Sequence, residues 1–149
     1  MNIEIKINAD IKASMLARDT KKLEALRAIK AAMLLEKTKG ATVEIPKEVE
    51  LSILQKLVKQ RKDSATIYKE QGREDLAEVE IYQAEIIEVY LPQQLSKEEI
   101  EKVIAEVILQ TGASGMKDMG KVMGIASKKM AGQADNKTVS GIVKAMLLS

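Results

Sequence analysis

With 149 residues, 46% of them hydrophobic and 31% charged, the chain has the length of one domain or two small ones and the composition of an ordered globular protein, which argues against disorder. It has no cysteine and no histidine. Disulfides, thiolate nucleophiles, cysteine metal ligands and an imidazole general base are therefore excluded, and catalysis would need a carboxylate or lysine moved far from its ordinary pKa. The net charge of +2 is too small to mark the whole chain as a polyanion binder.

Two prolines and eight glycines, set against many Ala, Leu, Glu, Lys, Ile and Met, point to an all-α fold. Near the start, Ile3, Ile5 and Ile7 alternate as in a strand, but Ile3, Ile7, Ile11 and Met15 keep a helical spacing for longer, and that pattern predicts a first helix. No run approaches the roughly 18 apolar residues of a membrane span, and the opening MNIEIKINAD lacks the apolar core of a signal peptide. The expected compartment is the cytoplasm.

Asp19 or Thr20 can cap a second helix over 21–39, with Leu23, Leu26, Ile29 and Met33 inward and Gly40 as its stop. After a loop over 40–45, Pro46 suits the first turn of a long third helix that Gly72 ends. Its expected inner face is Val49, Ile53, Leu57, Ser64 and Tyr68. Arg61 falls inside that sector, where a guanidinium needs a partner, for which Glu80 and Glu85 are candidates. The fourth helix, 75–90, carries Leu76, Val79, Ile86, Ile87 and Tyr90 on one face and stops at Leu91-Pro92. Its glutamates read as a solvated face, since the Glu-x-x-His pairs of carboxylate metal bundles cannot exist here.

Ser96 with Glu99 forms a capping box for a fifth helix, whose stripe is Ile100, Val103, Ile104, Val107 and Ile108 up to Gly112. The proline and the change in composition at 91–96 predict a boundary, giving an N-terminal four-helix domain (1–93) and a small C-terminal three-helix bundle (94–149). From Gly115, the pattern predicts a helix with Met116, Met119, Met123, Ala126 and Met130 on one stripe and Lys117, Lys121 and Lys128 on another. Gly120 and Gly124 lie between the two. Each glycine costs a helix interior about 1 kcal/mol against alanine, so the pair suggests that another helix or a ligand approaches the backbone closely. The last helix, capped by Asp135 or Asn136, packs through Val139, Ile142, Val143, Met146 and Leu147.

Charge is divided unevenly. Residues 1–95 hold 16 basic and 16 acidic side chains, whereas 115–149 hold six lysines against Asp118 and Asp135.

Several segments together resemble the GatB/YqeY family: Asp118-Met119-Gly120-Lys121-Val122-Met123, then Lys128, and Gly132-x-Ala134-Asp135 in the second half, with Leu26-Arg27-Ala28-Ile29-Lys30, Gln60-Arg61-Lys62-Asp63-Ser64, Gly72-Arg73-Glu74-Asp75-Leu76-Ala77 and Tyr90-Leu91-Pro92-Gln93-Gln94-Leu95 in the first. The resemblance covers nearly the whole chain. It implies a helical domain joined to a small helical domain similar to the tail of the B subunit of glutamyl-tRNA(Gln) amidotransferase, an RNA-contacting appendage. The family's label as carbon-nitrogen ligases with glutamine as amido-N-donor belongs to other domains and another subunit, so the chain alone is expected to lack that activity and to need no cofactor or metal. Gln133 stands where the family is often basic, Asn136 replaces a common glycine, and Ser127 a frequent proline.

The expected partner is therefore tRNA. Lys117, Lys121 and Lys128 would meet successive phosphates, Gly120 and Gly124 would let the backbone settle against a ribose-phosphate strand, and Lys129 and Lys137 would extend the patch. With Tyr68, Tyr82 and Tyr90 as the only rings, recognition would be of shape and backbone. Lys30, Arg61 and Arg73, at family motif positions, are second-rank candidates. The alternative is a protein interaction module that docks a synthetase or an amidotransferase.

Overall fold

A computed structural model describes residues 3–40 and 44–148. Met1 and Asn2 of the opening stretch, residues 41–43 of the expected loop, and Ser149 lie outside the described residues. Among those described the fold is all-helical, with seven α-helices and one 3₁₀ turn, and it divides into two compact units, Met1–Leu91 and Pro92–Ser149.

The first unit contains α1 (Ile3–Leu16), α2 (Thr20–Lys39), α3 (Lys47–Glu70) and α4 (Glu74–Glu88). Asp19 caps α2, its Oδ1 accepting from the Lys22 backbone N–H at 3.2 Å. Ile7, Leu26, Ile29, Met33, Leu54, Val58, Ala84, Ile87 and Tyr90 form the core. Three of the expected inner faces need correction. On α1, Met15 is 55% exposed and Ser14 is buried in its place. Four-residue steps drift by about 40° each, and the fourth member has left the face.

On α3 the buried line is Leu51, Leu54, Val58 and Ala65, rotated by about 100° from the expected one. The helix packs against both α2 and α4, so its covered sector is wide and Val49, Ile53 and Leu57 are only half-buried. On α4 the centre is Ala77, Ala84 and Ile87, of which the two alanines leave room for a neighbouring helix, while Val79 is 46% exposed.

Arg61 does not meet Glu80 or Glu85. Its Nε donates to Gln83 Oε1 at 3.0 Å and its Nη1 to the Leu57 carbonyl at 3.1 Å, so neutral oxygens satisfy this half-buried cation. The Tyr90 hydroxyl donates to Asp10, and burial together with that carboxylate pushes the phenol above its ordinary pKa.

The second unit contains α5 (Lys97–Thr111), a 3₁₀ turn (Met116–Asp118), α6 (Met119–Lys129) and α7 (Asn136–Leu148). Ser96 Oγ accepts from the Glu99 N–H at 3.2 Å, and Gly112 closes α5 at φ +67°, where a side chain would be strained. Asp135 Oδ2 accepts from the Thr138 N–H at 3.3 Å and so caps α7. Ile100, Ile104, Val107, Val122, Ala126, Met130, Val139, Val143 and Leu147 fill the core. The residues that lead into α5 are tied to the α6–α7 turn. Leu95 N–H donates to the Gln133 carbonyl at 2.9 Å, Gln94 Nε2 to the Gly132 carbonyl at 2.7 Å, and Gln133 Nε2 to the Gln93 carbonyl at 3.3 Å.

Candidate nucleic-acid interface

Helix α6 has eleven residues, MGKVMGIASKK, and no acidic one. Val122 and Ala126 are fully buried, and Met130 at the C-cap is 2% exposed. Of the expected stripe, Ala126 and Met130 are thus inward, and Val122, which the stripe left out, joins them. Met119 and Met123 flank the buried line, and Met116 is 40% exposed because the 3₁₀ turn breaks the helical register before Met119.

Directly opposite the core, Gly120, Lys121, Gly124 and Lys128 fall within about 100° of one another and all face solvent. A methyl group added at Gly120 or Gly124 would meet no atom within 4 Å beyond the adjacent helical backbone. Packing within the chain therefore does not call for these glycines, and the bare backbone is open.

The remaining expected site residues are dispersed. Lys117 is exposed but sits in the 3₁₀ turn, off the helix that carries Lys121 and Lys128. Asp118 beside it is engaged, its Oδ2 accepting from the Ser114 N–H at 3.0 Å. Lys129 reaches Gln110 of α5 at 3.4 Å and lies about 100° from the ridge. Lys137 stands on α7, which has no acidic residue either. There it shares the outward face with Gly141 and Lys144, two exposed residues that the sequence pattern did not single out although the lysines of α6 and α7 repeat the same seven-residue spacing. Gln133, which stands where the family is often basic, is a fastener of the α6–α7 turn.

Electrostatically, α6 and α7 hold five lysines and no carboxylate, whereas α5 carries Glu98, Glu99, Glu101 and Glu106. A polyanion meets favourable charge on two of the three helices and repulsion on the other.

Among the second-rank candidates, Arg61 and Arg73 hold residues of their own unit, Gln83 and Asp75. The Arg73 guanidinium grips both Asp75 oxygens at 3.2 Å and keeps that carboxyl below its ordinary pKa. Lys30 is exposed on α2. A cleft of about 440 Å³ between α2 and α4 brings together Lys21, Glu24, Asp75, Glu78 and Tyr82, a mixed set without a nucleophile beside a base. Among the described residues no helix is long and apolar enough to cross a membrane.

Known proteins share these features to different extents. A protein from Kluyveromyces lactis, "Altered inheritance of mitochondria protein 41, mitochondrial", is 28% identical over 142 residues, 93% of this chain and 72% of that protein. Its namesake from Clavispora lusitaniae is 36% identical over 86 residues, 57% of this chain, which spans about half (49%) of that relative's length. A 54-residue segment, 34% of this chain, is 46% identical to part of the E subunit of glutamyl-tRNA(Gln) amidotransferase from Thermococcus gammatolerans, 9% of that protein.

The fungal names overturn the cytoplasmic expectation. It rested on the lack of an apolar leader, which bears on secretion, whereas segments that address mitochondria are amphipathic and arginine-rich. The family model described as Yqey-like protein matches residues 4–147, nearly the full length, and the chain belongs to the YqeY-like protein family.

Proposed function

We propose that the protein is a non-catalytic tRNA-binding accessory, with Pro92–Ser149 as a module like the tail of the amidotransferase B subunit and α6 as its contact. One observation carries the reading: Lys121 and Lys128 flank an open glycine backbone on a helix free of acid, and among the described residues neither lysine has an ion-pair partner. Unpaired cations on a convex ridge suit phosphates, and missing side chains let the sugar edge come close. The second unit has no aromatic residue, so stacking on unpaired bases is not available to it and backbone shape is what it would read. The short match to a tRNA amidotransferase supports the choice of RNA.

The test is retention of an unmodified tRNA transcript as a function of salt. Lys121→Ala with Lys128→Ala is expected to lower the log–log salt slope by about 1.4–1.8, at about 0.7–0.9 per lost phosphate contact. No binding at low salt, or a slope unchanged by the double substitution, removes the proposal. The other reading, a partner helix such as one of a synthetase or amidotransferase seated on the Gly120–Gly124 line, predicts capture that survives nuclease treatment.

A further inference from the structure

We infer that Lys137, Gly141 and Lys144 form a second contact surface for a ribose-phosphate backbone, on α7 and separate from the one on α6; this rests on the tRNA reading above. The three residues lie at i, i+4 and i+7, within about 60° of one another, on the face opposite the buried Val139, Ile142, Val143 and Leu147. All three are exposed. Seven residues set the lysines about 10 Å apart along the axis, with the glycine midway.

Gly141 is the decisive residue. It occupies the middle of a thirteen-residue helix, where glycine costs about 1 kcal/mol against alanine, and a methyl group there would touch nothing within 4 Å. The fold gains nothing from its absence. The same combination occurs on α6, where Lys121, Gly124 and Lys128 lie at i, i+3 and i+7, again outward and again without an acid on the helix. Two neighbouring helices thus carry the same device, two cations seven residues apart with bare backbone between them. Charge complementarity selects a polyanion for both. Each device occupies the outward side of its own helix, so the lysines of α7 add phosphate contacts to those of α6.

The experiment measures the dissociation constant of an unmodified tRNA transcript across a potassium chloride series for the full chain and three variants. Lys137→Ala with Lys144→Ala is expected to lower the salt slope by about 1.4–1.8, as the α6 pair does. Gly141→Ala, which leaves charge unchanged and should raise thermal stability, is expected to weaken binding several-fold. If the α7 lysine pair leaves affinity and slope unchanged while Lys121→Ala with Lys128→Ala reduces both, this inference is wrong and the tRNA reading stands. If Gly141→Ala binds as tightly as the parent, the close approach at α7 is refuted. Absence of binding by the parent protein at low salt overturns the tRNA reading and this inference together.

Discussion

The two units use charge in opposite ways. Among the described residues every ion pair falls within Met1–Leu91: Glu4 with Lys37, Glu36 with Lys39, Lys59 with Asp63, Lys62 with Glu88, and Arg73 with Asp75. None of them lies among the described residues of the second unit, although α6 and α7 hold five lysines. Exposed pairs are worth little individually, but they cancel the field that a surface projects. The first unit therefore offsets part of its charge by pairing, whereas the lysines of α6 and α7 meet no acid on their own helices. The glycines follow the same division: Gly120, Gly124 and Gly141 are exposed helical positions of the second unit at which a side chain would fit freely.

Three sets of substitutions test this contrast, in falling order of effect. Ile104→Ala in the second core and Ile29→Ala in the first should each cost about 2–5 kcal/mol by denaturant titration, since both side chains are fully buried. Only the first should reduce tRNA retention per folded molecule, and equal loss in both would erase the functional contrast. Gly120→Ala together with Gly124→Ala should stabilise the protein, by up to about 1 kcal/mol at each site, while weakening tRNA binding. A melting curve and a binding isotherm on the same sample check both halves; tighter binding would show that the bare backbone has no part in contact.

The smallest effect concerns Glu50, a carboxyl of α3 that is 9% exposed. Burial raises its pKa, helped by Glu4 and opposed by Lys47 and Lys37. The folded protein thus holds this proton more tightly than the unfolded chain does, and stability falls as pH rises through the window above the ordinary glutamate value of about 4.3. Glu50→Gln should raise the melting temperature modestly at pH 7, with the gain fading as pH drops toward 4. A gain that persists at pH 4 would assign it to packing instead.

Much of the helical layout was legible because its signals are local. Asp19, Ser96, Gly112 and Asp135 act within one turn, and each does so in the structure. Facing was harder. Of the stripe expected on α6, Ala126 and Met130 are buried, but Val122, which the methionine pattern passed over, is buried with them while Met116 is exposed. On α3 and α4 several apolar lines compete, and which one is innermost depends on neighbours that a single helix does not specify. Within the candidate site, Lys121, Lys128 and the two glycines share one helix, so periodicity alone sets them on one face, and it sets Lys129 about 100° away from them. Lys117 and Lys137 were grouped with them across element ends, where helical phase is lost. The bond of the Gln133 side chain to the Gln93 carbonyl joins residues 40 apart and has no local trace.

Those bonds have a practical consequence. The strap Pro92-Gln93-Gln94-Leu95 precedes α5, yet it fastens to the turn between the two helices that follow. An excised fragment that begins at Ser96 would keep every helix of the second unit and still lack its clasp, leaving the Gly132 and Gln133 carbonyls to water. A fragment that begins at Pro92 would carry its own fastening and is the one to express.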